Sequence, residues 1–169
     1  CAAVCPTGAI IIKNDSHRLW KELNQEDTIA VAQVAPAVRV AVAKEFGYNG
    51  ENVMGKIVAA LRRIGFNYIF DTSTAADLTV MEESKEFADR LANGGKLPLF
   101  TSCCPAWIKY AENEYPEILP NISTCRSPMQ MFASVINEKF KGEGKKILSV
   151  AVMPCTAKKG EAARDEFKE

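Results

Sequence analysis

The sequence predicts an α/β fold, in which a mostly parallel sheet is flanked by helices. From Thr28 onward, short apolar runs alternate with longer segments whose apolar residues recur at helical spacing. Three of the apolar runs also end in a turn that contains proline, a residue well suited to the first turn of a helix. Strands that lead directly into helices are typical of a parallel sheet covered by helices.

Four apolar runs are expected to be strands buried on both faces, namely residues 28–35, 67–71, 97–101 and 146–153. Three of these runs are followed by the proline turns, which are Ala35-Pro36, Cys104-Pro105 and Met153-Pro154-Cys155. In an open parallel sheet the strand ends share one edge, where α/β proteins bind ligands. The cysteines of the last two turns are therefore predicted to converge.

Three segments are expected to be amphipathic helices, namely residues 52–64, 76–91 and 128–140. Their apolar faces are expected to consist of Val53, Ile57, Ala60, Leu61 and Ile64 in the first, Leu78, Met81, Phe87 and Leu91 in the second, and Met131, Phe132, Val135, Ile136 and Phe140 in the third.

The composition of the 169 residues, with 47% hydrophobic and 25% charged, is that of a globular protein with one substantial core. Twenty-one basic and twenty-one acidic residues balance, which argues against a nucleic-acid partner. No apolar run approaches the roughly 20 residues that span a bilayer, so we expect a soluble, cytoplasmic protein without a membrane span. A start without Met and an end inside a charged run suggest that both termini are cuts.

Six cysteines are many for a cytoplasmic chain but too sparse for a disulfide scaffold, so metal binding is the favoured interpretation. Cys125, taken alone, is expected to be an ordinary buried thiol. Cys1, Cys5 and Pro6 match the closing half of the run that holds iron–sulfur clusters in bacterial ferredoxins. Residues 1–27 are therefore predicted to end a ferredoxin-like 4Fe-4S domain, although two incidental thiols would leave the same pattern.

The segment TSCCPAW, residues 101–107, carries two adjacent cysteines at a predicted strand end. Their side chains are expected to point in different directions, so one cysteine can bind metal while the other exchanges protons. A pair of core thiols is the alternative. In MPCTAKKGE, residues 153–161, Lys158 lies one helical turn after Cys155 and can donate to an anionic ligand, whereas Lys159 fits a solvated surface better.

These two segments resemble the first two signature motifs of the iron-iron hydrogenases, TSCCPxW and MPCxxKxxE. Residues 31–39, 70–72, 76–83 and 123–128 resemble the same family, so the resemblance covers essentially the whole chain. It implies that residues 28–169 form the first lobe of the active-site domain, cut before the third cysteine motif. The fold implied is one lobe of the iron hydrogenase large-subunit fold with a ferredoxin-like tail.

The resemblance implies that Cys104 and Cys155 are two of four thiolates on a 4Fe-4S cluster. In the family this cluster is bridged to a two-iron subcluster that carries carbon monoxide, cyanide and a bridging dithiolate. Cys1 and Cys5 would ligate 4Fe-4S relay clusters. Lys158 would hydrogen-bond a cyanide, and three residues would line the pocket around the diatomic ligands: Met153, Ala35 and Pro36.

The resemblance also implies a proton relay to Cys103 through Glu83, Glu86 and Ser123. Glu83 and Glu86 are three residues apart on a predicted helix, so they share one face. Two exposed glutamates would be the ordinary interpretation without the motifs. The chain departs from the family at Met129, where members usually have glutamine, so a polar contact near a cyanide is in doubt.

The activity implied is the reversible reduction of protons to dihydrogen with electrons from ferredoxin or a similar carrier. Maturation proteins would insert the two-iron subcluster. Without the third motif we expect the chain alone to be inactive. A hydrogenase-like iron–sulfur assembly protein without hydrogenase activity is the alternative, and a sensory homologue with an altered relay is a third. Cys103 argues against the assembly protein, and Cys103 with Glu83 and Glu86 argues against the sensor.

Overall fold

The computed structural model describes residues 2–48 and 50–167. In chain order, the described elements are α1 (Ser16–Leu23), β1 (Thr28–Val34), α2 (Pro36–Glu45), α3 (Met54–Ile64), β2 (Tyr68–Asp71), α4 (Ser73–Asn93), α5 (Pro105–Glu114), α6 (Pro128–Phe140), β3 (Lys146–Val152) and α7 (Ala157–Ala162). Short 3-10 turns lie at Ala2–Val4, Pro116–Asn121 and Asp165–Phe167.

The three strands form a parallel sheet in the order β2-β1-β3. Val34, at the end of β1, pairs with Asp71 on one side and with Val152 on the other, so all three strands end at the same level. The prediction of a parallel α/β fold is confirmed.

The central strand β1 places the core on both sides of the sheet, and every β1 residue after Thr28 is buried. Ile29 and Val31 pack with Phe132 and Ile136 of α6. Ala30 and Ala32 face the opposite side, where they form a second cluster with Phe66. Leu19 and Leu23 of α1 pack against this second cluster, so α1 is part of the α/β core. The edge strands β2 and β3 are more exposed than predicted, since each has a neighbour on one side only.

The prediction of a strand at residues 97–101 is wrong. Phe100 makes an isolated parallel bridge with Ile122 instead of joining the sheet. Its N–H donates to the Asn121 carbonyl at 2.8 Å, and its own carbonyl accepts the Ser123 N–H at 2.7 Å. Pro98 has no N–H to offer a neighbouring strand. The segment before Cys103 is consequently attached to the loop that carries Ser123.

The helix predicted at residues 128–140 is confirmed at both ends as α6, and the Ser127 side chain caps it by accepting the Gln130 N–H at 3.4 Å. The helix predicted at 52–64 begins two residues later, and α4 is longer than predicted.

The apolar face predicted for α4 is largely wrong, since Met81, Phe87 and Leu91 are exposed. Ala75 and Thr79 are buried instead. The Thr79 hydroxyl bonds the Ala75 carbonyl at 3.1 Å and lies 3.2 Å from the Met131 sulfur of α6. A small residue and a hydroxyl therefore provide the contact that larger side chains were expected to make. In the part of the chain that the structure describes, no helix is both long and apolar enough to cross a membrane.

Candidate active site

The carboxyl ends of β1 and β3 form the switch point of the sheet, because the chain leaves β1 for β2 on one side and later crosses to β3 on the other. The Ala35 N–H donates to the Val152 carbonyl at 3.1 Å and closes this edge. Pro36 begins α2, and Met153 follows β3 directly. The three residues predicted to line the pocket, Ala35, Pro36 and Met153, thus lie at the switch point.

The two cysteine-bearing turns are in contact. Cys104 precedes Pro105, the first residue of α5, and Cys155 lies two residues before α7. The Lys158 ammonium donates to the Cys103 carbonyl at 2.9 Å, although the two residues are 55 positions apart in the sequence. Cys103, Cys104 and Cys155 are all exposed. The fold therefore brings two turns with exposed cysteines together from distant parts of the sequence.

The Lys158 side chain is held by a nearly buried ion pair. Its ammonium lies 2.8 Å from Glu161 Oε2, and the two side chains are 14% and 7% exposed. An ammonium has three N–H donors, so one remains after the bonds to Glu161 and Cys103. Lys158 shares a groove with Met153 and Cys155, where a ligand could accept that hydrogen. Lys159 differs, since it pairs with Asp15 at 2.6 Å on the surface.

The chemistry of the thiols fits an iron–sulfur cluster, because thiolates are its usual ligands. Five cysteines of the described chain are free, namely Cys5, Cys103, Cys104, Cys125 and Cys155. Across residues 2–48 and 50–167, however, no three His, Cys, Asp or Glu side chains are grouped as a metal site. Cys104 and Cys155 have the chemistry of cluster ligands, and a four-iron cluster would need further ligands besides these two.

Glu86 lies at the centre of a hydrogen-bond network on α4. The Ser123 hydroxyl donates to Glu86 Oε2 at 2.8 Å, and the Arg90 Nε donates to Oε1 at 3.0 Å. The Thr124 N–H adds a bond to Oε2 at 3.1 Å. Burial raises the pKa of Glu86, but the bonds from Ser123, Arg90 and Thr124 outweigh burial and hold the pKa below its usual range. The carboxyl group is therefore ionised at neutral pH.

Glu83 reaches the segment that carries Cys103. Its Oε1 accepts the Ser102 N–H at 3.4 Å, and the Ser102 hydroxyl donates to the Cys125 carbonyl at 2.5 Å. The structure thus joins Glu86 to Ser123 directly and joins Glu83 to the residue before Cys103. Whether these groups conduct protons stays a prediction.

The predicted ferredoxin-like tail is described from Ala2 onward, and Cys1 lies outside the described residues. Cys5 Sγ is 3.5 Å from the Thr7 hydroxyl oxygen. The hydrogen bond with the Thr7 hydroxyl, followed by those with the backbone of Ile10 and Thr7, lowers the pKa of Cys5 from 9.0 to about 7. A larger share of this thiol is therefore deprotonated at neutral pH than in an ordinary cysteine.

Sequence reasoning missed three members of the network. Arg90 could have been found, because it follows Glu86 by four residues on one helix and such pairs meet. Ser102 carries no signal of its own beyond its place beside Cys103. The expectation of an ordinary core thiol at Cys125 is wrong, since Cys125 is half-buried and its sulfur lies 3.8 Å from Glu86 Oε2.

The fold and the site define an α/β lobe with free, exposed thiols in the turns beside the switch point of its sheet. Comparison with known proteins is more specific. Residues 28–169 match the model of a family described as the iron only hydrogenase large subunit, C-terminal domain. The chain belongs to this family.

Its relatives include enzymes and one class of assembly factor. The chain is 44% identical to the NADP-reducing hydrogenase subunit HndD of Solidesulfovibrio fructosivorans, over 99% of this chain and 30% of that protein. It is 40% identical to iron hydrogenase 1 of Clostridium pasteurianum, over 96% of this chain and 29% of that protein. It is also 34% identical to a cytosolic Fe-S cluster assembly factor of Danio rerio, over 96% of this chain and 44% of that protein.

Solved structures agree with the sequence comparison. A variant of the FeFe-hydrogenase HydA1 from Chlamydomonas reinhardtii superimposes with a TM-score of 0.83 at 36% identity, over 93% of this chain and 42% of that chain. The chain thus spans less than half the length of each of these relatives.

Proposed function

We propose that the chain forms one lobe of a site that reversibly reduces protons to dihydrogen. The observation that carries this proposal is the 2.9 Å bond from Lys158 to the Cys103 carbonyl, which joins the two cysteine motifs. A soluble α/β domain has no structural need to collect exposed thiols and a nearly buried ammonium at one edge of its sheet. Metal binding by the thiols, together with a group that exchanges protons, would explain why these residues are collected there.

In this proposal Cys104 and Cys155 hold two corners of a 4Fe-4S cluster that is linked to the two-iron subcluster. When bound, these groups supply the redox chemistry. Lys158 donates its remaining N–H to a cyanide, and Met153, Ala35 and Pro36 exclude water from the diatomic ligands. The ion pair with Glu161 keeps Lys158 in place, because a buried carboxylate without its partner is strongly unfavourable.

The protein's own part in the reaction is proton movement. The exposed Cys103 thiol gives and takes the proton at the metal centre. Ser123 and Glu86, joined at 2.8 Å, form the outer section of the relay, and Glu83 approaches Cys103 through the Ser102 backbone. An ionised Glu86 can accept a proton from solvent or from Ser123. A reversible reaction requires both, because protons then move toward Cys103 as well as away from it.

Residues 1–27 deliver electrons in this proposal, with Cys1 and Cys5 as cluster ligands and ferredoxin or a similar carrier as donor. The two-iron subcluster is inserted by maturation proteins, and the protein works in the cytoplasm. The unusually acidic Cys5 thiol supports its part of this assignment, because iron binds the thiolate form.

The test is hydrogen evolution by the complete protein, produced together with hydrogenase maturation proteins and supplied with a reduced viologen. Cys103→Ala should keep the iron content and lose most turnover, because the proton partner is removed. Cys104→Ala should lose cluster iron as well. Thr156→Ala, an exposed neighbour of Cys155, serves as the matched control and should retain the iron. Normal turnover in Cys103→Ala, or normal iron in Cys104→Ala, would contradict the respective role.

A role in iron–sulfur assembly is the second candidate, and the 34% identity to the Danio rerio assembly factor favours it. This function needs clusters but no proton relay. Under this alternative the matured protein evolves no hydrogen, and Cys103→Ala supports cluster delivery to an apo-protein as well as the wild type does. Hydrogen evolution that depends on Cys103 would rule this candidate out.

A further inference from the structure

Cys125 makes three hydrogen bonds that join separate parts of the site. Its N–H donates to the Ser123 hydroxyl oxygen at 3.1 Å, and its carbonyl accepts the Ser102 hydroxyl at 2.5 Å. Its thiol donates to Glu86 Oε2 at 3.8 Å, within the range of a sulfur hydrogen bond. One residue thus touches the carboxylate on α4, the relay hydroxyl and the segment that leads to Cys103.

We propose that Cys125 is a positioning residue, whose thiol and backbone hold Glu86 and Ser123 in the arrangement that passes a proton between them. The claim that a proton passes between Ser123 and Glu86 rests on the proposed function. The claim that Cys125 holds these two side chains in place rests only on its three hydrogen bonds.

The backbone bond orients the Ser123 hydroxyl. Because the Ser123 oxygen accepts the Cys125 N–H, its own proton is directed toward Glu86 Oε2, 2.8 Å away. The Cys125 thiol then supplies a second side-chain donor to the same carboxylate oxygen. Oε1 is meanwhile held by Arg90. Each oxygen of Glu86 therefore has its own donors, and the carboxylate is fixed against rotation.

The charges around Cys125 keep its thiol protonated, as a donor must be. Burial raises the pKa of Cys125 above 9.0, and the carboxylates of Glu86, Glu83 and Glu82 on α4 raise it further, against a lowering bond from Ser123. Glu86 itself faces Arg90 from α4 and Cys125 from the loop. At neutral pH the thiol therefore donates to Glu86 and does not repel it.

The first test measures Glu86 in the 169-residue chain by ¹³C NMR of its side-chain carboxyl, assigned by the loss of the signal in Glu86→Gln. Cys125→Ala should raise the titration midpoint of Glu86 by about 0.4 pH units, because a weak donor to the ionised form is lost. Cys125→Ser restores a donor and should return the midpoint most of the way. Ser84→Ala, an exposed position on α4, should leave it unchanged.

Two outcomes of this titration would overturn the proposal. One is a Cys125→Ala midpoint that coincides with the wild type and Ser84→Ala. The other is a rise that Cys125→Ser does not reverse, since the effect would then come from lost volume and not from a lost donor.

The second test measures the pH dependence of hydrogen evolution by the complete matured protein. The acidic limb of the profile should move in Cys125→Ala in the same direction as the NMR midpoint, and Cys125→Ser should bring it back. A shifted midpoint with an unshifted profile would overturn the role in the relay. If the wild type itself evolves no hydrogen, the proposed function fails, and the NMR titration still decides whether Cys125 positions Glu86.

Discussion

Arg90 binds one carboxylate oxygen of Glu86 through two nitrogens, with Nε at 3.0 Å and Nη2 at 2.6 Å from Oε1. The same guanidinium donates to the backbone carbonyls of Lys96, Pro120 and Ile122, at 3.1, 2.9 and 2.9 Å. Arginine offers five N–H donors in a fixed plane, so one side chain can make all these bonds. Arg90 thereby fastens α4 to the loops on either side of α5.

Replacement of Arg90 is expected to be costly because it leaves a carboxylate and several carbonyls without donors. Arg90→Ala should lower the free energy of unfolding by about 3 kcal/mol. Arg90→Lys keeps the charge but loses the planar arrangement and should cost about 2 kcal/mol. Urea unfolding measures both, with the exposed Arg63→Ala on α3 as control. If Arg90→Ala were as stable as Arg63→Ala, the network would contribute nothing to stability.

Glu86 should make stability depend on pH in the acidic range. Its pKa is lower in the folded than in the unfolded chain, so its ionised form stabilises the fold above the usual glutamate pKa of 4.5. This contribution disappears as the pH falls through the folded pKa. The wild type should therefore exceed Glu86→Gln in stability at neutral pH, and the difference should shrink below pH 4.5.

Urea unfolding at a series of pH values measures this difference. Glu82→Gln, at an exposed position on the same helix, provides the baseline. A gap between the wild type and Glu86→Gln that stays constant as the pH falls would show that ionisation of Glu86 is not its source.

Asp71 links the end of β2 to two helices. Its Oδ2 lies 2.9 Å from the Arg39 guanidinium of α2, and its Oδ1 accepts the Ser73 N–H of α4 at 2.9 Å. Asp71→Asn keeps an acceptor for Ser73 and should cost about 0.5–1 kcal/mol. Asp71→Ala loses both bonds and should cost about 1 kcal/mol more.

Added salt separates the two contributions of Asp71. It should narrow the gap between the wild type and Asp71→Asn, because salt screens an ion pair, but not the gap between Asp71→Asn and Asp71→Ala. Equal stability of the two variants would argue against the bond to Ser73.

Thr7 should control the reactivity of Cys5. Thr7→Val has nearly the same shape but lacks the hydroxyl that is the main cause of the low pKa of Cys5, about 7. Alkylation of Cys5 by iodoacetamide should therefore slow down in this variant at pH 7, because less thiolate is present. Mass spectrometry of the reduced, iron-free chain gives the rate at each cysteine. Cys125, whose pKa is raised, is the internal control and should react slowly in both proteins.

Much of the fold follows from local sequence features. β1 is a mostly apolar run that begins after the polar residues 24–27 and ends two residues before Pro36, and α6 begins where Ser127 and Pro128 provide a cap and a first turn. Such signals act within a few residues and need no knowledge of distant partners. They sufficed for β1, β3 and α6.

The errors concern partners that local signals do not specify. The run around Phe100 is as apolar as a strand, but its bridge partner, Ile122, lies in a loop. On α4 the tight contact with α6 selects the small Ala75, so the larger Met81 is left exposed. Tertiary packing decides such cases, and a single sequence does not record it.

The residues of the candidate site show the same difference between local signals and distant partners. Cys104, Cys155 and Lys158 were predicted as site residues because short motifs carry them, and their roles stay predictions. Cys125 was missed because its contact with Glu86 depends on how α4 meets a loop more than 30 residues away. Arg90 lies on the same helix as Glu86, so its contact could have been predicted from the spacing of four residues.

The order of the strands in the sheet means that β1 is synthesised well before one of its two neighbours, β3. Thr28 begins the central strand, yet its partner on one side, Lys146, begins β3, the last of the three described strands. At roughly 5–20 residues per second, a ribosome needs on the order of ten seconds to travel between them. During this interval the apolar flank of the nascent β1 stays open to chaperones and to aggregation. A cluster that takes both Cys104 and Cys155 as ligands, as proposed above, cannot be completed until residue 155 has been synthesised.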